Sequence, residues 1–237
     1  MADLVIDIGS TALKAAWCDG MTLGKTFRYQ GERMFEFVMS LVEKVRPEKI
    51  VLSSVRNFSD KNISRLQKVC SVLIILDDIM MSKYDLPSYM TPDRAASVIA
   101  SRYLFKNREC MVFDFGSTLS IDFIDASGKY EGGNVSPGCR TRFKALNRYS
   151  KSLPLVDVPD CFEEKGNSLK SSLESGVLSG IIFEIEGYMS RHPRKISVFT
   201  GGDAIYFAKR MKNSIFVVCN LILIGLALIA FEYDRKD

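Results

Sequence analysis

Two stretches of this chain carry residues suited to the same chemistry. Asp7-Ile8-Gly9-Ser10-Thr11 and Asp114-Phe115-Gly116-Ser117-Thr118 share the pattern acid, apolar, glycine, two hydroxyls. An apolar run precedes each, Leu4-Val5-Ile6 in one case and Met111-Val112-Phe113 in the other. A second extended segment follows each, ending in a turn at Asp19-Gly20 or Ser127-Gly128. That reads as strand, tight turn, strand. Glycine in such a turn lets backbone come close to a ligand. Hydroxyls and free backbone N–H groups bind phosphate oxygens. The strand-end aspartate can hold a cation that neutralises them, directly or through water. Asp, Gly and Ser are also ordinary turn residues. Two copies in one strand context nevertheless favour a pair of phosphate loops.

Other reactive groups are few. There is one histidine, His192, in the basic turn Ser190-Arg191-His192-Pro193-Arg194. That nearly excludes Ser-His-Asp and Cys-His catalysis and multi-histidine metal sites, so a general base should be a carboxylate. Thr91-Pro92-Asp93-Arg94 carries one such carboxylate among many. By itself that tetrapeptide is also an ordinary helix start, with Thr91 as N-cap and Pro92 at the first helical position. The cysteines, at 18, 70, 110, 139, 161 and 219, form no C-x-x-C pair. They read as reduced thiols of a cytosolic protein, not as a disulfide frame or zinc site.

Composition bounds the class. The chain has 237 residues, 47% hydrophobic and 25% charged, enough for one large globular domain or two small ones. Its net charge of +4 is scattered. The densest basic stretch, Arg140 to Lys151, reads as a solvated helix face, so no nucleic-acid partner is expected. Met1-Ala2-Asp3 leads straight into a strand, and no secretory leader is expected. Ile215 to Phe231 is apolar apart from Asn220 and Gly225, at the short limit for a membrane span. Asn220 reads as an N-cap that splits the run into a strand, 214–219, and a helix, 221–231. A buried strand and core helix are expected, not a membrane anchor.

The remaining elements repeat. Strands over 3–8, 12–18 and 22–29 form a meander, followed by a helix over 34–45, a strand over 49–55, a helix over 60–70 capped by Ser59, and a strand over 71–76. Residues 77–92 read as a polar, proline-bearing functional loop. A helix over 93–105 follows, and the pattern restarts with strands near 110–115, 119–125 and 129–135 and a helix after Pro137. Residues 150–165 read as irregular. A long helix over 169–189 is expected to be broken or closely packed at glycines 176, 180 and 187. A strand over 195–199 and a helix over 204–211 precede the apolar tail. This is internal duplication by architecture, with expected lobes at 1–109 and 110–237.

Two phosphate loops facing each other across a cleft, one per half, resemble the layout of the actin, sugar-kinase and heat-shock ATPase superfamily. The fold this implies is α/β, with duplicated actin-like (ribonuclease H-like) lobes, each a mixed sheet with a three-strand meander and flanking helices. Within that superfamily the motifs resemble type III pantothenate kinases nearly end to end. The family's D-x-G-N-T followed by Lys is matched by Asp7, Gly9, Thr11 and Lys14, with Ser10 for the Asn. Its D-x-G-T is matched by Asp114, Gly116 and Ser117. Gly132-Gly133-Asn134-Val135-Ser136-Pro137-Gly138 matches G-G-x-x-x-P-G, and Ser152-Leu153-Pro154 an L-P element. Thr200-Gly201-Gly202 matches T-G-G, and Leu223-Ile224-Gly225-Leu226 resembles L-x-G-L. The family's G-x-D-R, which carries its catalytic base, is here Thr91-Pro92-Asp93-Arg94. Tyr84 and Pro87 precede it as the family's aromatic and proline do. Ser168 falls where the family usually has Thr.

The resemblance implies ATP-dependent phosphorylation of pantothenate to 4′-phosphopantothenate, the entry to coenzyme A synthesis. Asp93 would be the catalytic base. Asp7, Ile8, Gly9, Ser10, Thr11, Ala12, Leu13 and Lys14 would hold the ATP phosphates, with Ser117 from the other lobe. Asp7 would also hold Mg²⁺, possibly through water, and Asp114 a monovalent cation, K⁺ or NH₄⁺. Tyr84, Thr91, Pro92, Arg94 and Ser168 would contact pantothenate, and Gly201 and Gly202 would let the adenosine approach. A cytoplasmic homodimer is implied. Two other classes stand beside this one: a catalytically impaired homologue with a regulatory role, on the substitutions at Ser10 and Thr91, and an actin-like assembly ATPase.

Overall fold

The structure is a computed structural model that describes residues 2–43 and 45–233. Met1, Lys44 and 234–237 lie outside them, and with them part of the helix expected over 34–45 and the last stretch of the expected second lobe. Contacts divide the chain into two compact units, Met1–Lys106 with Asn220–Asp237, and Asn107–Cys219. The division expected at residue 109 placed the tail in the second half, whereas its contacts group it with the first.

In the first unit β1 (Asp3–Ile8) is buried along its whole length. A strand buried on both faces belongs at the centre of a sheet covered on each side. It pairs antiparallel with β2 (Leu13–Asp19), which pairs with β3 (Thr22–Tyr29). After α1 (Met34–Val42), β4 (Lys49–Ser54) pairs with β1 in parallel. After α2 (Asp60–Gln67), β5 (Val72–Ile75) pairs with β4 in parallel. Parallel neighbours require such crossovers, and the sheet order is β3-β2-β1-β4-β5. Met34, Phe35, Val38 and Val42 bury the apolar stripe of α1 against Leu4, Ile6, Ile50 and Leu52. Ser59 accepts from the Asn62 N–H and caps α2, as expected.

The loop expected over 77–92 contains a short helix, α3 (Asp78–Ser82), capped by the Asp77 carboxylate on the Met80 N–H at 2.8 Å. Helix α4 (Pro92–Leu104) follows, with Thr91 as N-cap and Pro92 in the first turn. The second unit then repeats the plan. Strands β6 (Cys110–Phe115), β7 (Thr118–Ile124) and β8 (Tyr130–Pro137) form the meander. Helices α5 (Cys139–Tyr149) and α6 (Leu169–Arg191) lead to β9 (Ile196–Gly201), parallel to β6. Helix α7 (Ala204–Ala208) leads to β10 (Ile215–Val217), parallel to β9; at the sheet edge, its Phe216 and Val217 are exposed where a buried strand was expected. The order β10-β9-β6-β7-β8 is that of the first sheet read from its other edge. Phe113, Phe115, Phe199 and Phe207 pack ring on ring in its core.

Helix α6 corrects one expectation. It runs unbroken through its glycines: Gly176 and Gly187 have open space where a Cβ would stand, and Gly180 meets only the Arg142 guanidinium at 3.9 Å. His192 caps its C-terminus and its ring packs tilted against that of Phe123, centroids 4.9 Å apart. No cysteine is bonded to another.

Helix α8 (Leu221–Tyr233) returns to the first unit and packs on β1, β4 and α4. Leu221, Ile222, Leu223, Gly225, Leu226, Ala227, Leu228, Ile229 and Ala230 are all buried. A helix apolar on every side is a core helix or a membrane span, and here it is core. No helix among the described residues is long and apolar enough to cross a membrane. Its contact with α4 is backbone on backbone, since a Cβ at Gly225 would stand 2.0 Å from the Ala96 carbonyl oxygen. Neither helix can yield there without losing buried contacts on its far side. Gly225→Ala is therefore expected to destabilise the protein by about 1–3 kcal/mol, the usual range for overpacking, read as a lower midpoint in urea unfolding.

Candidate active site

The two motifs occupy equivalent places. Asp7 is the penultimate residue of β1, opposite Lys14 on β2 and Ser53 on β4. Asp114 is the penultimate residue of β6, opposite Ser120 on β7 and Thr200 on β9. Each acid thus sits where a central strand leaves its sheet between an antiparallel and a parallel neighbour. Asp7 is 5% exposed, and its Oδ1 accepts from Ser53 Oγ at 3.2 Å.

The turns that follow differ despite their identical letters. The first is closed by the Gly9 N–H on the Ala12 carbonyl at 3.0 Å, leaving Ser10 and Thr11 exposed. The second is tighter, with the Gly116 N–H on the Thr118 carbonyl at 3.0 Å. The end of β4 staples the first turn. Val55 N–H donates to the Ile8 carbonyl at 3.1 Å, and the Arg56 guanidinium donates to the Ser10 carbonyl. The second is stapled by the start of α5, where Gly138 N–H and Thr141 Oγ1 donate to the Ser117 carbonyl at 3.0 and 2.6 Å.

Gly201 lies close against Asp114. Its φ is +94°, and a Cβ there would stand 2.4 Å from Asp114 Oδ1 and 2.6 Å from the Phe115 carbonyl. Its bareness is used up by Asp114. Gly202, 3.9 Å from the Phe115 oxygen at the same point, keeps free space.

Asp93 lies in the first turn of α4, partly buried, where a negative charge suits the helix dipole. Its Oδ1 accepts from the Arg94 N–H at 2.9 Å. Thr91, standing where the family has Gly, has φ −75° and ψ 149°. That is extended backbone open to any residue, so the β-branched side chain fits without strain. Tyr84 lies in the turn after α3, its hydroxyl donating to Glu232 Oε2 at 3.0 Å. Burial first, and the Glu232 charge second, push its phenol up. Ser168 is exposed and caps α6 in a capping box with Ser171.

The first unit thus carries 7–14, Tyr84 and 91–94; the second carries Asp114, Ser117, Ser168, Gly201 and Gly202. Ser53 and Arg56 were not singled out from sequence. Only the parallel register of β4 against β1 brings them to the first loop. Among the described residues no three His, Cys, Asp or Glu side chains are grouped to hold a metal. Single carboxylates such as Asp7 and Asp114 fit a different mode, in which one carboxylate shares a cation with waters and substrate phosphates.

Comparison with known proteins bears on this arrangement directly. The family model described as type III pantothenate kinase matches residues 3–191. The chain belongs to that family. A type III pantothenate kinase of Cytophaga hutchinsonii is 36% identical over 231 residues, covering 94% of this chain and 96% of the relative. Among solved structures, a conserved putative Baf family transcriptional activator from Campylobacter jejuni aligns with TM-score 0.66 at 22% identity, covering 98% of this chain and 99% of its own. The activator of 2-hydroxyisocaproyl-CoA dehydratase from Clostridium difficile, with bound ADPNP, aligns with TM-score 0.62 at 14% identity, over 100% and 96%. At those identities the likeness speaks for the fold alone: a duplicated actin-like α/β fold, as the paired sheets require.

Gly201→Ala tests the second half of the arrangement. The substitution places a side chain at positive φ and drives it into Asp114. We expect a loss of about 2 kcal/mol or more of stability, the scale of such backbone strain, measured by urea unfolding. Gly202→Ala should lose far less.

Proposed function

We propose that this protein transfers the γ-phosphoryl group of ATP to the primary hydroxyl of pantothenate, forming 4′-phosphopantothenate, the first step of coenzyme A synthesis. The observation that carries this reading is the family match over residues 3–191, which spans both loops and Asp93. In the reaction the hydroxyl oxygen bonds to phosphorus, the bond to the ADP oxygen breaks, and the hydroxyl proton passes to the Asp93 carboxylate. Transfer of this kind needs positioning and charge neutralisation more than covalent chemistry. The loop over 8–14, with the exposed Ser10 and Thr11 side chains and Lys14, holds phosphate oxygens, and Ser117 adds a further contact. Asp7 would hold Mg²⁺, directly or through water, and Asp114 a monovalent cation. These ions, when bound, offset the charge of the phosphates. Thr91, Pro92 and Arg94 line the place of the acceptor, Arg94 being suited to an anion. Tyr84 and Ser168 complete the pantothenate contacts. The working form is a cytoplasmic homodimer, whose mass light scattering would read.

The test is turnover of pantothenate with ATP, Mg²⁺ and K⁺. Product formation is expected; none under any cation condition would overturn the reading. Replacing K⁺ by Na⁺ should lower turnover, and Asp114→Asn should blunt that difference, checked by rates in each salt over a range of ATP concentrations.

Asp93→Asn keeps shape and hydrogen bonding but cannot take a proton. Loss of a general base typically lowers the rate on the order of 10²–10⁴-fold, about 3–5 kcal/mol of barrier. A fall in kcat of at least roughly a hundredfold is expected, with ATP binding unchanged by calorimetry. Turnover within a few-fold of wild type would remove Asp93 from the role.

A further inference from the structure

The segment between α3 and α4 is held at several points. Met81, Leu86 and Met90 are buried, and the Leu86 N–H donates to the Met81 carbonyl at 3.2 Å. Asp85 takes φ +52°, a conformation Asp tolerates better than most residues. Arg102 Nη1, in the last turn of α4, donates to the Tyr84 carbonyl at 2.5 Å. Tyr84 Oη donates to Glu232 Oε2 at 3.0 Å. The first contact fixes the backbone of Tyr84, and the second fixes the direction of its side chain. Arg102 follows Asp93 by nine residues, about 13 Å of helix axis. Tyr84 is therefore held from the C-terminal end of the helix whose first turn carries the proposed base.

We infer that Glu232, near the end of the terminal helix, is a positioning residue for the acceptor: it fixes the Tyr84 side chain and so sets affinity for pantothenate without touching it. This rests on the pantothenate kinase reading and adds to it a residue outside the family motifs. A hydrogen bond to a carboxylate is stronger than a neutral one, and an ordered aromatic side chain loses less freedom when a ligand binds. Loss of the bond should thus weaken acceptor binding and leave the chemical step alone.

The experiment compares Glu232→Ala, Glu232→Gln, Tyr84→Phe and the double variant Tyr84→Phe with Glu232→Ala. Glu232→Ala should raise KM for pantothenate about tenfold, the scale of losing one charged hydrogen bond, with kcat and KM for ATP within about twofold. Glu232→Gln keeps an acceptor oxygen and should recover most of the loss. The double variant should be no worse than Tyr84→Phe, since both remove one interaction. Hydrogen exchange of the backbone amides of 84–90 should speed up in Glu232→Ala and not in Glu232→Gln. Additive losses, a Gln variant as impaired as Ala, or equal changes in both KM values would overturn the inference. So would an Ala variant indistinguishable from wild type. Should wild type fail to turn over pantothenate, the functional reading falls; the exchange measurement alone then decides whether Glu232 orders Tyr84.

Discussion

The contact of α8 with α4 is the constraint on which the first unit depends. Helix α4 presents small residues there, with Ala95, Ala96, Ser97, Ala100 and Ser101 all buried. Helix α8 answers with Gly225, and the backbones meet with no side chain between them. Burial of this kind, worth roughly 25 cal/mol per Å² of apolar surface, fixes α4 against α8 and β4. The first turn of α4 carries Asp93, and its last turn carries Arg102. A chain segment far away in sequence thus sets the placement of the proposed base. The apolar tail does the work of a core wedge, and its hydropathy follows from that.

Central strands impose the second constraint. β1 and β6 are buried on both faces and can carry polar chemistry only where they leave the sheet. Asp7 and Asp114 stand at that exit, each between one antiparallel and one parallel neighbour. The parallel neighbour then brings a hydroxyl beside each acid, Ser53 in one case and Thr200 in the other. Duplication of the sheet order duplicated this arrangement, but not the turns. The wider Gly9–Ala12 turn exposes two hydroxyls, whereas the second turn is clamped by α5. In the proposed reading the first loop is consequently the better cradle for a polyphosphate, and the second offers fewer exposed hydroxyls.

Much of this could be read in the sequence because period and turn chemistry carry local information. The meanders, the Ser59 cap, the split at Asn220 and the Asp93 helix start were all legible in that way. What failed depends on tertiary neighbours. Glycines 176, 180 and 187 suggested a break or a close approach, yet α6 is held by Val177, Leu178, Ile181 and Ile185 on its opposite face. A long helix with such a buried face tolerates glycine where nothing packs. Residues 77–92 read as loop because Asp77 and Pro87 are breakers, whereas Asp77 caps a short helix. Contacts group the tail with the first unit. Nothing in the apolar pattern of 221–231 says which sheet it covers. Ser53, Arg56 and Glu232 were invisible because only strand register and helix packing bring them to their partners.

Thr91 shows how far a motif departure can be judged once backbone is known. Glycine at a helix start can mean a conformation that only glycine adopts, or merely a residue without side-chain demands. With φ at −75° the position is an ordinary extended N-cap, and Thr is among the residues that favour it. The substitution therefore removes no backbone freedom that α4 uses, and Asp93 keeps its place in the first turn. What Thr adds is a hydroxyl and a methyl group beside the proposed acceptor site. Its hydroxyl makes no capping bond to α4, so the helix does not claim it. In the proposed reading the departure from glycine thus bears on the shape and polarity beside the acceptor, not on the position of the proposed base.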